Sequence, residues 1–351
     1  MAAAAAHQEK ILSDGLPLLL QLAPKSVLVF RALQLGDMLC AVPAFRALRA
    51  AVPRARIALV GLPWASQFAA RFSDYIDEFY AFPGHPALPE QPVRQDLLDG
   101  FYESMRSRKF ALALQMHGSG EISNGIVRAF GAHVAAGHAA HGLIGDGRFH
   151  CFAYPETGPE PLRLLGLTAA LGAPPAGTQL EFPLTAEDED ELARSGLAAG
   201  LAPGAYACIH PGARNREKCW PPQRFAEIAD RLALEFGLSI VITGSGQEAD
   251  LAGAVIGHMK MPAVNAAAPI SIGAMAALMR DARLLVCNDT GVSHIAAALE
   301  LKSVVIFNNA DMDRWAPLDN RLHRCIRDPA GEYANEVLAL ARMVLTQAEW
   351  R

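Results

Sequence analysis

The sequence predicts an α/β protein made of two Rossmann-like halves, each a parallel sheet with helices on both faces. Three observations predict it. Short apolar runs suited to buried parallel strands alternate with helical patterns. The alternation breaks after residue 184 and restarts after residue 204. Compact polar clusters stand just beyond several of the strand-like runs, where ligands bind in such sheets. A length of 351 residues fits about two domains.

Residues 1–24 read as a loosely held leader. Within it, residues 16–23 are apolar but short and contain Pro17, with no basic segment before them, so they read as a local helix or turn and not as a signal peptide. The first half, residues 25–184, begins with a strand at 26–30, followed by Gly36-Asp37 and a helical pattern through Ala50. Strands at 56–60, 78–82 and 110–115 follow, separated by helices at 65–72 and 97–109. A helix at 159–171 leads into a Gly/Pro-rich loop at 172–184. Residues 185–203, a charged helix and a break, read as the linker. The second half, 204–331, has strands at 205–210, 239–243, 283–287 and 303–307. Its helices lie at 222–236, 247–259, 272–280 and 292–300, and 332–351 holds a terminal helix. The cleft between the halves is the expected ligand site.

Composition narrows the function. Apolar residues make up 52%, enough for a large core, and net charge is -5 with no basic block, which argues against nucleic-acid binding. No apolar run approaches the roughly 18 residues of a membrane span. The six cysteines have no CxxC spacing and read as buried free thiols of a reducing cytoplasm. His133, His138 and His141 are the nearest thing to a metal cluster, but no carboxylate neighbours them in sequence and their spacing is not that of known sites, so no metal site is assigned.

Four motifs can carry chemistry. In the first, Arg31 to Asp37, Gly36 permits a tight turn, and Asp37 is either a helix cap or a general base. The second, His210 to Pro221, opens from a strand end into a loop with Arg214, Arg216 and Lys218. Those cations form a solvated basic loop, or else Gly212, Trp220 and Pro221 are scaffolding that holds Lys218 for a phosphate. The third is Thr243-Gly244-Ser245-Gly246-Gln247-Glu248, where Glu248 either favours the helix dipole or accepts hydrogen bonds from a ribose. The fourth is Asn288-Asp289-Thr290-Gly291-Val292-Ser293-His294, an apolar strand running into a helix start, which is an anion site by its amides and dipole. Asp289 and Thr290 also suit a capping role there, and His294 a place in the core.

In this order the motifs resemble family 9 glycosyltransferases, the heptosyltransferase-like group, over roughly residues 25–345. The second and fourth are the specific ones. The resemblance implies a GT-B fold: two facing Rossmann-like domains with an inter-domain cleft and a C-terminal helix packing back toward the first. It implies an inverting, metal-independent transfer from a nucleotide sugar, commonly ADP-heptose, to a lipopolysaccharide core sugar or another saccharide or glycoconjugate. No cofactor beyond that donor is implied, and peripheral contact with the inner membrane is left open. By the same resemblance Asp37 is the general base. Lys218, Glu248, Asp289, Thr290, Gly291 and His294 bind the donor. Gly36, Arg214, Arg216, Ser245, Asn308 and Trp315 are candidates along the cleft, and His117, Ser119 and Asn124 on the acceptor side. Relatives often carry F-G-P-T after the last core strand, where this chain has Phe307-Asn308-Asn309-Ala310. An epimerase or hydrolase of the same fold, or a non-catalytic nucleotide-sugar-binding protein, would share the nucleotide site. Asp37 together with Lys218 argues for the transferase.

Overall fold

The computed structural model describes residues 16–140 and 145–346. The chain forms two compact units that divide between Thr178 and Gln179. The first unit runs α1 (Leu18–Leu22), β1 (Ser26–Phe30), α2 (Leu35–Cys40), α3 (Val42–Ala51), β2 (Arg56–Gly61), α4 (Ala65–Arg71) and β3 (Glu78–Ala81). It continues through α5 (Gln95–Ser107), β4 (Leu112–Gln115), α6 (Ser123–Ala129), β5 (Val134–Ala139), β6 (Phe149–Ala153) and α7 (Glu160–Ala170). Its six strands are all parallel, in the order β3-β2-β1-β4-β5-β6.

The second unit runs α8 (Ala186–Ser195), β7 (Tyr206–His210), a 3₁₀ turn (Arg216–Lys218), α9 (Pro222–Phe236), β8 (Ser239–Gly244), a second 3₁₀ turn (Gly246–Glu248), α10 (Ala249–His258) and β9 (Ala263–Ala267). Then come α11 (Ile272–Arg280), β10 (Leu284–Asn288), α12 (Gly291–Ala298), β11 (Ser303–Phe307), α13 (Met312–Trp315), β12 (His323–Arg327) and α14 (Ala334–Thr346). Its sheet order, β12-β11-β10-β7-β8-β9, is that of the first unit read from the other end. In each sheet the chain reverses direction of travel beside its first strand, between β1 and β4 and between β7 and β10. A crevice opens there at the carboxyl ends of the strands.

The central strands are buried on both faces, which is why they read as continuous apolar runs. In register, Val29 lies between Leu59 and Leu114, and Val286 between Ile209 and Val304. One core gathers Leu28, Phe30 and Val60 with Met105 and Phe130. The other gathers Ile209, Trp220, Phe225 and Val286.

Several expectations change. The strands β5, β6, β9 and β12 are absent from the sequence reading, because they are built of small or alternating residues such as Ala263-Val264-Asn265-Ala266. The helical pattern expected after Gly36-Asp37 through Ala50 is two helices that break at Ala41, since Pro43 has no amide to continue the ladder. Gly36 makes no tight turn; it is the second residue of α2. Of the leader, residues 1–15 lie outside the described residues, and Leu19 donates to the Leu171 carbonyl at 3.0 Å, which pins α1 to the first unit.

The segment 185–203 is no free linker. Thr185 and Asp188 form a reciprocal cap at the start of α8, Gly196 ends it with φ 70°, and the helix packs on α11 of the second unit. The terminal helix α14 buries Val337, Leu338, Ala341, Val344 and Leu345 in the second unit's own core. Its apolar face is taken up there.

Candidate functional site

Two polar centres mark the two crevices. In the second unit, Asn288 ends β10 fully buried. Its Oδ1 accepts the Trp220 amide at 2.9 Å, and its Nδ2 donates to the Pro211 carbonyl at 2.8 Å. One side chain thus closes both ends of the loop that carries Lys218. Trp220 is itself fixed: its ring is wholly buried, edge-on to Phe225, and its Nε1–H donates to Asp328 Oδ2 at 2.9 Å. Asp328 also accepts the amides of Glu332 and Tyr333, each at 2.9 Å. A carboxylate held by three donors ionises easily, and those bonds outweigh the effect of burial to lower its pKa.

On this scaffold Lys218 Nζ sits 3.6 Å from Asp289 Oδ2. The Asp289 side chain is mostly enclosed, and that of Lys218 is 40% exposed. Asp289 directly precedes the cap of α12, where Thr290 Oγ1 accepts the Val292 amide at 3.2 Å. The capping reading therefore holds for Thr290. A lysine charge and a helix N-terminus come together at one strand end, which suits a bound diphosphate. His294 is buried and lies edge-on to Trp315, whose ring carries the Arg314 guanidinium at 4.7 Å.

Glu248 closes the other side of this crevice. Its Oε2 accepts from Ser245 N at 2.8 Å and Ser245 Oγ at 2.7 Å, a capping box. Gly212 is what allows this carboxylate so near the β7 loop: a Cβ there would stand 2.1 Å from Glu248 Oε1. His210 is buried, its Nδ1 3.0 Å from Thr243 Oγ1. Burial lowers its pKa, and the Glu248 charge works the other way. Arg216 grips Asp250 through two bonds of 3.0 Å and the Gln247 carbonyl. Arg214 is exposed on the same loop, and Asn308 is buried, its Nδ2 at 3.5 Å from the Glu217 carbonyl.

In the first unit, Asp37 is the third residue of α2 and partly buried. Gln34 is the N-cap, so Asp37 is not one; it sits in the first turn, where the dipole favours a carboxylate. His117 lies one residue past Met116, stacked on Phe30, with Nδ1 accepting the Ala32 amide at 3.2 Å. That bond places the proton on Nε2, which points to Glu90 Oε1 at 3.7 Å. Burial and the Arg31 charge hold this imidazole down at about 4. Asn124 is buried and donates to the His138 carbonyl at 3.0 Å, in space that only Gly120, at φ 89°, leaves open. Both residues are built into the first unit's framework. Ser119 is partly exposed between them. His141, of the histidine trio, lies outside the described residues, and the His138 ring is edge-on to Tyr154.

The sequence reading missed Asn288, Asp328 and Glu160 as organising residues. Asn288 had a signal, a carboxamide inside a buried strand end. Asp328 and Glu160 had none, because Trp220 and Arg31, the side chains they hold, are 108 and 129 residues away.

Two six-stranded parallel sheets of this order define an α/β protein of the GT-B class. Residues 103–337 match the model of glycosyltransferase family 9 (heptosyltransferase); the chain belongs to that family and is a glycosyltransferase. It is 24% identical to lipopolysaccharide heptosyltransferase 2 of Salmonella typhimurium over 321 residues, 84% of this chain and 86% of that one. A match to lipopolysaccharide heptosyltransferase 3 of Escherichia coli is 30% identical but spans only 36% of this chain and 37% of that one. Among solved structures, a family 9 glycosyl transferase from Veillonella parvula superposes with a TM-score of 0.78 at 19% identity, covering 92% of this chain and 98% of that one. The E. coli heptosyltransferase WaaC with ADP gives 0.69 at 19% identity, covering 91% and 99%.

Proposed function

We propose that this glycosyltransferase moves a heptose from ADP-heptose to a hydroxyl of a saccharide or glycoconjugate acceptor. The displacement is single and inverting, and it requires no metal ion. The observation that carries the reading is the Lys218–Asp289 pair, 3.6 Å apart, at the start of α12 where β7 and β10 part. The leaving nucleoside diphosphate gains negative charge in the transition state, and donors fixed in advance stabilise it most. Lys218 supplies a full charge and the amides of Thr290 and Gly291 supply the helix end, a combination that does the work elsewhere given to a divalent ion. Glu248, anchored beside Gly212, takes the nucleoside ribose. His294, Trp315 and Asn308 line the donor side. Asp37 takes the proton from the attacking hydroxyl. Activity retained in excess chelator is expected.

The donor is proposed from the resemblance together with relatives named lipopolysaccharide heptosyltransferases and solved structures named for ADP-heptose. Those names also support lipopolysaccharide as acceptor; its core sugar, and action in the cytoplasm with contact at the membrane face, are proposed from the resemblance alone. Among the described residues no helix is long and apolar enough to cross a membrane, so contact there would be peripheral.

A thermal-shift panel tests the donor. ADP at about a hundred times its dissociation constant stabilises the protein by about 2.7 kcal/mol, and UDP at equal concentration does not. Equal stabilisation by UDP removes the adenine assignment. Incubation with ADP-heptose alone leaves the donor intact; rapid consumption without acceptor favours the epimerase or hydrolase reading.

A further inference from the structure

Arg31 follows the last residue of β1, and its side chain is fully buried. Its guanidinium is divided among three groups. Nε and Nη2 donate to the backbone carbonyl of Asp37 at 3.0 and 2.7 Å. Nη1 donates to the carbonyl of Met116, just past β4. Nη2 also reaches Glu160 Oε1 at 3.2 Å, and Glu160, the first residue of α7, is buried as well. A single cation therefore joins the ends of β1 and β4 to the first turns of α2 and α7.

Two features show that the arrangement serves Asp37. In a continuing helix the Asp37 carbonyl would accept the amide four residues on. Here that amide, of Ala41, bonds Met38 at 3.0 Å and Leu39 instead, and Arg31 takes over the Asp37 carbonyl. The N-cap residue Gln34 adds no side-chain bond, so the guanidinium is a main tether of this short helix. Moreover, a buried ion pair is a poor device for stability alone, because packed apolar side chains of the same volume avoid its desolvation cost. A planar, always-charged fork fits where several carbonyls must be held at fixed angles.

We infer that Arg31, held in turn by Glu160, is a positioning residue that fixes the backbone from which Asp37 projects. The inference rests on Asp37 being the general base. Misplacing a reacting group by about 1 Å can cost roughly a hundredfold in rate. The pair therefore acts on turnover and leaves donor binding in the second unit alone.

The test uses the full-length protein with three variants: Arg31→Lys, Glu160→Gln, and Asp37→Asn as reference. Lysine keeps the charge but cannot reach the Asp37 and Met116 carbonyls together. Arg31→Lys is expected to lower kcat about ten- to a hundredfold, assayed with ADP-heptose and a heptose-deficient lipopolysaccharide core, with donor KM within about twofold of wild type. Amide hydrogen exchange should quicken at residues 33–41 and 116–118 and stay unchanged in the second unit. Glu160→Gln should give the same pattern more weakly, and it carries both readouts if Arg31→Lys does not fold. Exchange unchanged at residues 33–41, or raised evenly through the first unit, overturns the inference. So does wild-type turnover in both anchor variants while Asp37→Asn is inactive. Wild-type turnover in Asp37→Asn overturns the base reading instead, and the exchange result then still decides whether Arg31 tethers the turn.

Discussion

Gly212 is set by a carboxylate 36 positions further along the chain. A methyl group there meets Glu248 Oε1 at 2.1 Å, and that oxygen is the end of a side chain able to swing away. Gly212→Ala is therefore expected to cost little stability, on the order of 1 kcal/mol for the disturbed cap at Ser245. ADP affinity should fall several-fold, since Glu248 leaves its place; a calorimetric titration reads this, and unchanged affinity removes Glu248 from the ribose site. Lys218→Ala should weaken ADP-heptose binding on the same instrument, because it removes the ammonium 3.6 Å from Asp289 at the start of α12. Asp37→Asn should retain donor binding and lose about two orders of magnitude or more in turnover, the usual scale for a base. Single-turnover kinetics at wild-type speed would count against it.

At the scale of elements, the loop of residues 211–221 owes its shape to groups outside it. Asn288 ties its two ends, and Asp328 receives the indole at its far end while gathering the amides that lead into α14. Asp328→Ala leaves a buried indole N–H and two amides without their acceptor. A loss of roughly 2–4 kcal/mol is expected in urea unfolding. The conservative Asp328→Asn should recover part of it. A change below about 0.5 kcal/mol would mean that water replaces the carboxylate. The same elements explain what the sequence left unread: β5 and β9 are runs of small residues, and β12 alternates His323, Arg324, Cys325, Ile326 and Arg327. Their strand character comes from the neighbour they pair with, not from their own propensity.

For the whole molecule, each unit carries buried histidines that resist protonation. Burial holds His117, His138 and His323 at about 4. The unfolded chain binds those protons near the ordinary pKa of roughly 6.5. Folding stability is therefore whole above that pH and is lost as pH falls toward 4. The slope is at most ~1.4 kcal/mol per pH unit for each histidine. Urea midpoints at pH 7.5, 6 and 5 should fall in that order, and His323→Gln, which removes one titrating group beside Ser303, should flatten the trend. A midpoint constant from pH 7.5 to 5 would show that these imidazoles do not titrate on unfolding.

The sequence by itself determined the α/β class, the two-fold repeat of the Rossmann pattern and the strands β1 to β4, β7, β8, β10 and β11. It also determined which residue types stand at the strand ends. These features are local: an apolar run, a glycine, a Thr-Gly helix start and a Trp-Pro pair carry their meaning within a few residues. Only the tertiary structure decided which strand ends share a crevice, because parallel strands pair through crossovers and their order is not written in any one segment. It brought Lys218 to Asp289 and Gly212 to Glu248, and it placed Arg31 among Asp37, Met116 and Glu160. It also gave Arg216 to Asp250 and moved α8 and α14 from linker and tail into the second unit. The reason is physical: a hydrogen bond or ion pair depends on where two groups lie in space, not on their separation along the chain. A partner a hundred residues away leaves no mark on the sequence around either one.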